Sequence, residues 1–493
     1  MNHPIEKGNG ARRTNRIVDV VLRVIPTAAL VAVGAYFTAR QVLRPNQRAI
    51  KAALILAIMA FMFRFDMVYS LYVFVLLFPF PSGISIGSSN NVLMTIIPMV
   101  WAIRAASIKT RLFAKTPLDW PHGVFLMSYV VSLSNVNSHL ALVHGIAVIW
   151  RQTCCVAFFA MLVTFVNDEK KLMRLLQMAC IADGLVMLTA VVELVSPGAT
   201  IIPGWLAIGK RVSEGGEYSF RVTKMRVGGV LASDANMADF GTQLLPFMVY
   251  FAWRSRNPAA KVFWTGVSVL TLVAVLSTGN RGGLVGIVII FVYGLFLFRR
   301  QISFVNKTLI VTGALSLLIA ADYALSRYTY ATSPIQRMLN TQMVGVVPET
   351  RAMTWWPSIK KSMEHPWVGS GPWFDIGKGL DFQFWPHNAY LFYLQTLGLF
   401  GLGAFTWIMI RVTKMSLLFR SRLPGRDNLA DLMVLAHIWL VVFAVEQLGI
   451  DHQRDDIYPY LVWLLFGVIT ILALLIRRRY EAQEQLTRVP GAP

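Results

Sequence analysis

The sequence predicts an all-α fold, a polytopic bundle of about 12–14 transmembrane helices. Three observations predict it. Hydrophobic residues make up 56% of the 493-residue chain and charged residues only 14%, against roughly 25% charged in a soluble protein. Apolar runs of transmembrane length recur from one end to the other, and the mean hydropathy is +0.56. The basic residues gather in short clusters between these runs, so the net charge of +21 serves membrane topology and implies no nucleic-acid partner.

Taken in order, the chain opens on the polar, basic stretch MNHPIEKGNGARRTNR, followed by an apolar run at 17–38. That run is longer than a signal-peptide core and lacks a small-residue cleavage site, so a retained helix is expected. Further spans are expected over 50–63, 67–80, 91–106, 122–138, 152–166, 173–195, 237–254, 261–278, 283–298, 308–324, 388–412, 429–449 and 459–477. Arg64 and Asp66 divide the stretch 50–80 into two short spans; read as one, it moves only the N-terminus to the other side. Cys154, Cys155 and Cys180 lie in or beside apolar runs without metal-ligand spacing, as packing residues do. No internal repeat stands out, which argues against a transporter built on duplicated halves. The chain is expected to form one polytopic domain, 1–493.

Orientation follows from five basic clusters: Arg104 to Lys115, Arg254 to Lys261, Arg299 to Lys307, Arg411 to Arg426, and Arg477 to Arg479. All five fall on one side when the spans are counted off, which predicts that side to be cytoplasmic. The segment 40–51 departs from this pattern. On the opposite side two loops, 196–236 and 325–387, are too long to be simple connections. Within the second, WWPSIKKSMEHPWVGSGPWF begins as a short amphipathic helix lying at the membrane surface.

Several polar groups collect on this outer face. Arg281 sits in the tight, glycine-flanked turn STGNRGG between two spans, and His387 and Asn388 stand where the chain re-enters the membrane. The outer loops carry Lys210, Arg211, Arg221, Lys224 and Arg226, then Arg327, Arg337, Arg351, Lys360, Lys361 and Lys378. Loops on the outer side gain nothing in topology from being basic, so an anionic ligand is one physical reason for them. Arginine suits a diphosphate, because its planar fork binds oxyanions in pairs and keeps its charge. Each group also has a plain structural reading: His387 and Asn388 as helix-start residues, Arg281 and Arg351 as interfacial anchors. Asp451, His452, Arg454 and Asp455 fit a solvated turn, and His139 and His144 a structural role.

The order of these pieces resembles the O-antigen ligase and polymerase superfamily of bacterial membrane glycosyltransferases. The resemblance rests on STGNRGG with Arg281 and Gly282, ETRAMTWW with Arg351, HPWVGSGPWF with Gly369 and Gly371, and PHNAYLFYLQTLGLFGLGAF with His387 and Asn388. Upstream, MRVGGVLASDANMADFGTQLLP carries Arg226, Gly229 and Asn236. The likeness covers about 220–405. It departs at Gln395, near which the family often carries an acidic residue, and at Ser277, which is displaced from its arginine.

The resemblance implies a GT-C-like bundle in the bacterial inner membrane with its active site on the periplasmic face. It implies transfer of a glycan from undecaprenyl diphosphate to a hydroxyl of an acceptor glycolipid or polysaccharide, with inversion and without metal or other cofactor. Arg281 and Arg351 would stabilise the diphosphate leaving group and His387 would act as base, with Arg226, Asn388, Gly282 and Gly371 in substrate binding. Polymerase activity is the alternative within the family. A lipid-linked-sugar flippase or a scaffold are the alternatives outside it; a flippase should show charged or broken helices near the midplane.

Overall fold

The computed structural model describes residues 66–80, 83–84, 87–108, 112–195, 227–231, 233–299, 303–328, 333–345, 347–373, 386–418, 428–450, 453 and 457–488. The expected spans 17–38 and 50–63 and most of the loop 196–236 lie outside the described residues. Helices dominate the remainder: α1 (Met67–Leu77), α2 (Ser89–Ile108), α3 (Asp119–Ser132), α4 (His139–Phe165), α5 (Glu169–Val195), α6 (Asp234–Arg254) and α7 (Pro258–Ser277). Then come α8 (Arg281–Leu297), α9 (Phe304–Tyr328), α10 (Pro334–Leu339), α11 (Glu349–Ser362), α12 (Ala389–Ser416), α13 (Asn428–Glu446) and α14 (Tyr458–Arg488). Six of these are long and apolar enough to cross a membrane. The chain is a helical, multi-pass membrane protein.

Helix starts follow local chemistry. Ser138, Ser233, Asn257, Asn280 and Asn388 each stand one residue before a helix, and each side chain accepts a backbone N–H of the first turn, which satisfies a donor the helix cannot. Packing then sorts the helices. The apolar stretch of α14 is 89% buried and forms the axis of the bundle, whereas that of α7 is 28% buried and faces outward. Around α14, Tyr460 packs edge-on against Phe74 and Phe158, and Trp463 meets His122 and Phe159. The three cysteines are free and buried, as expected for packing residues.

Contacts define the two ends. At one, Arg254 donates to the Asn428 side chain at 2.6 Å, Asn428 donates to Glu169 at 3.3 Å, and Arg478 reaches the Asn167 carbonyl. This end holds Arg254, Arg478 and Arg479, the last 4.0 Å from Glu169. The opposite end holds the starts of α8, α11 and α12 and the end of α13.

Two spans differ from expectation. α4 begins at His139 rather than near 152, because Arg151 and Gln152 do not interrupt it. Arg151 is buried and donates to the Gln453 carbonyl at 2.8 Å, and Gln152 donates to the Gln453 side chain; a charge at that depth is held by polar partners. Gln453 is itself buried. Asp451, His452, Arg454 and Asp455 lie outside the described residues.

The second difference is α12, which is not a single straight span. Gly398 has φ +66° inside it, and the rings of Tyr393 and Phe405, twelve positions apart, have centroids only 4.6 Å apart. A straight helix would separate those residues by about 18 Å, so the chain turns back at Gly398. The backbone groups freed by the break are taken up by the segment 366–371. Ser370 and Gly371 donate to the carbonyls of Gln395 and Thr396 at 3.0 and 3.1 Å, while Leu399 and Phe400 donate to Pro366 and Trp367 at 2.8 and 3.0 Å. Irregular backbone at membrane depth is tolerated where protein satisfies it.

The amphipathic segment forms α11 as expected, with Thr354, Ser358 and Ser362 inward and Met353, Trp356 and Met363 exposed. Its outward face thus carries Met353 and Trp356 together with Thr350 and Lys360.

Candidate functional site

The site is built around the short turn that ends α13. Asn388 caps α12 by accepting from Tyr390 and Leu391 N–H at 3.0 and 3.1 Å, and its amide donates to the Leu448 carbonyl at 3.3 Å. Ala389 N–H donates to the Gln447 carbonyl at 2.9 Å. From the other direction, Arg351 Nη2 on α11 donates to the Gly449 carbonyl at 2.6 Å. Residues far apart in sequence, Arg351 and Asn388–Ala389, thus meet at three consecutive carbonyls. His387 is half-buried with φ +46°, alone in positive φ among the described non-glycine residues. Such backbone is costly for a side chain and persists only where its surroundings impose it.

Arg281 is the first residue of α8, behind the cap in which Asn280 accepts from Gly282 N–H at 2.7 Å. Its Nη1 donates to Thr341 Oγ1, and Arg337 Nη1 donates to the Gly279 carbonyl. These groups line a cleft of about 430 Å³ with Asn340, Gln342, Glu349 and Thr350. Glu349 and Thr350 directly precede Arg351, so the start of α11 borders both the Arg281 cleft and the turn held by Arg351.

A buried polar network that sequence reasoning missed lies beneath. Tyr458 donates to Asp239 Oδ2 at 3.4 Å and accepts from Gln243 and Gln447. Gln243 also donates to Glu446 Oε2 at 3.1 Å and accepts from Trp439, and Thr242 donates to Glu446 Oε1. Both Glu446 oxygens are therefore acceptors. A Cβ on Gly282 would lie 3.9 Å from Asp239 Oδ1. Gln447 belongs to this network through its side chain and to the α12 start through its carbonyl. The signal was present: Asp239 and Glu446 are carboxyls inside two apolar runs, where ionisable residues are rare and usually functional.

The other residues singled out fall elsewhere. Gly371, φ +112°, contributes to the α12 break, where a Cβ would lie 2.6 Å from Val136 Cγ2. Gly369 packs there too, and its carbonyl accepts from Asn135 at 2.7 Å. Gln395 accepts from Ser358 Oγ at 2.7 Å and ties α11 to α12. His144 stacks on Trp373 at 4.9 Å, in a packing role. Arg226 lies outside the described residues; just after it, Gly228 and Gly229 donate N–H groups to Glu193 at 3.2 and 2.6 Å.

No protein-family model matches this chain, and no curated protein does. Its class is therefore that of a polytopic helical membrane protein with a polar, arginine-bearing site at one end.

Proposed function

We propose that the protein is a membrane glycosyltransferase of the O-antigen ligase type, acting at the periplasmic face of the bacterial inner membrane. It moves a glycan from undecaprenyl diphosphate to an acceptor hydroxyl. One observation carries this reading: Arg351 and Asn388, the residue after His387, hold the same turn, beside the cleft that holds Arg281. The positive-inside pattern supports the periplasmic orientation, and the four motifs in order support the family.

In the proposed reaction the acceptor oxygen attacks the anomeric carbon from the face opposite the diphosphate. The bond from that carbon to the diphosphate oxygen breaks, its electron pair leaves with undecaprenyl diphosphate, and the anomeric centre inverts. Negative charge grows on the leaving group, so fixed guanidinium groups stabilise the transition state more than the ground state. Arg281 and Arg351 take this role, with Arg226 as a third. His387 takes the hydroxyl proton, since imidazole titrates near neutrality, and passes it to water. Asn388 and Gly282 shape the two helix starts that border the site. Guanidinium charge does here what a divalent cation does in other glycosyltransferases.

A flippase for the same lipid is the second reading, favoured by the break at Gly398 and by carboxyls at Asp239 and Glu446 inside the bundle. Purified protein, supplied with undecaprenyl-diphosphate-linked glycan and alternative acceptors in vesicles, separates them. Release of undecaprenyl diphosphate with a mass gain on the acceptor supports transfer, and chain lengthening identifies a polymerase. Movement of intact lipid-linked glycan between leaflets, with neither product, overturns the transferase.

A further inference from the structure

We infer that α8 carries a two-part site for a polyprenyl diphosphate: the Arg281–Arg337 cleft for the diphosphate and an apolar groove down the same helix face for the chain. The inference rests on the donor proposed above and assigns where that donor sits. It adds Arg337 to the groups that hold it.

The groove lies between α7, α8 and α9 and is walled by Leu272, Val288, Val292, Leu295, Val311 and Leu315, with a volume of about 230 Å³. At 3.6 residues per turn, positions 288, 292 and 295 fall within about 40° of position 281 on the helix circumference, and Phe291 and Ile287, which also line the groove, lie about 80° and 120° to one side. The groove therefore runs along the stripe that Arg281 heads, reaching about 21 Å down the axis at Leu295. The join between the two parts is apolar. Leu284 and Ile287 belong to a buried apolar cluster against which Leu318 of α9 and Ile335, which stands on α10 two residues before Arg337, also pack. The short helix that brings Arg337 to the cleft thus packs on the same apolar cluster as the α8 residues between cleft and groove.

The chemistry matches one kind of occupant. Two guanidiniums and the N-terminus of α8 face the cleft against a single carboxylate, Glu349, and a helix N-terminus adds partial positive charge. Paired guanidiniums suit a diphosphate better than the single phosphate of a phospholipid. One groove suits one chain, where a phospholipid has two. Val288 and Val292 are 47% and 65% exposed, so the groove opens sideways and a chain can enter from the bilayer.

Equilibrium binding of undecaprenyl diphosphate to the full chain in nanodiscs tests this. Arg337→Gln, which keeps an amide donor for the Gly279 carbonyl, is expected to weaken binding about tenfold or more. Val292→Trp, at an exposed position, is expected to weaken undecaprenyl diphosphate but leave geranyl diphosphate, whose chain is too short to reach it, unchanged. Thermal midpoints of both variants check that they fold. Wild-type affinity in both variants, or equal competition by phosphatidylglycerol, overturns the site. If the wild type transfers glycan while both variants bind normally, the site assignment alone fails. If groove-dependent binding is found and no carrier supports transfer, the transferase fails and the site stands.

Discussion

Gly398 and Trp367 touch backbone to backbone: a Cβ on Gly398 would stand 2.4 Å from the Trp367 carbonyl oxygen. Gly398 also needs φ +66°, so an alanine there meets both a clash and a left-handed backbone. Gly398→Ala is expected to cost about 2 kcal/mol or more, read as a lower unfolding midpoint in detergent. Gly403→Ala in the same helix, with nothing within 4 Å, is expected to be neutral or slightly stabilising. Equal effects would mean that the close approach does not hold the break.

His387 combines the proposed base with an imposed backbone. His387→Ala is expected to lower transfer about 10²–10⁴-fold with membrane insertion intact, and robust activity would remove the base assignment. His387→Gly should be equally inactive yet more stable than His387→Ala by about 1 kcal/mol, because glycine accepts φ +46° freely.

Arg281→Ala and Arg351→Ala are each expected to lower transfer about 10²–10³-fold. EDTA is expected to leave wild-type transfer unchanged, because the guanidinium groups carry the charge. Loss with EDTA, restored by a divalent metal, would overturn the metal-free mechanism.

Glu446 and Gly286 should be coupled. A Cβ on Gly286 would lie 2.5 Å from Glu446 Oε1, so Gly286→Ala should destabilise the wild type. Glu446→Ala takes an acceptor from the Gln243 amide at a cost of about 1–3 kcal/mol, while Thr242 keeps the Ala238 and Asp239 carbonyls. In that background Gly286→Ala should cost less, a non-additivity that a double-mutant cycle in urea or heat unfolding detects.

The outward face of α11 is expected to touch lipid. Trp356 and Trp367 are 73% and 71% exposed, and in nanodiscs with brominated acyl chains their fluorescence should be quenched. Trp356→Phe on α11, combined with Trp367→Phe just beyond it, should remove part of the change, the rest coming from other exposed tryptophans such as Trp120 and Trp253. Quenching that persists unaltered in this double variant would place the face in water.

The class of fold was legible because hydrocarbon demands long apolar helices, and such runs show in any linear reading. The start of α12 was also legible, since Asn388 caps its own first turn, whereas the Ser138 cap that starts α4 was missed. Arg281, Arg351 and His387 stood out because charge at a membrane boundary is visible locally. Which of them meet was not visible: the carbonyls of Gln447, Leu448 and Gly449 are ordinary backbone, and only the packed bundle sets them before Arg351 and Asn388. The doubling-back of α12 was hidden for the same reason. Its freed backbone groups are satisfied by residues 366–371, and a helix can break in a membrane only where some distant segment arrives to complete its hydrogen bonds.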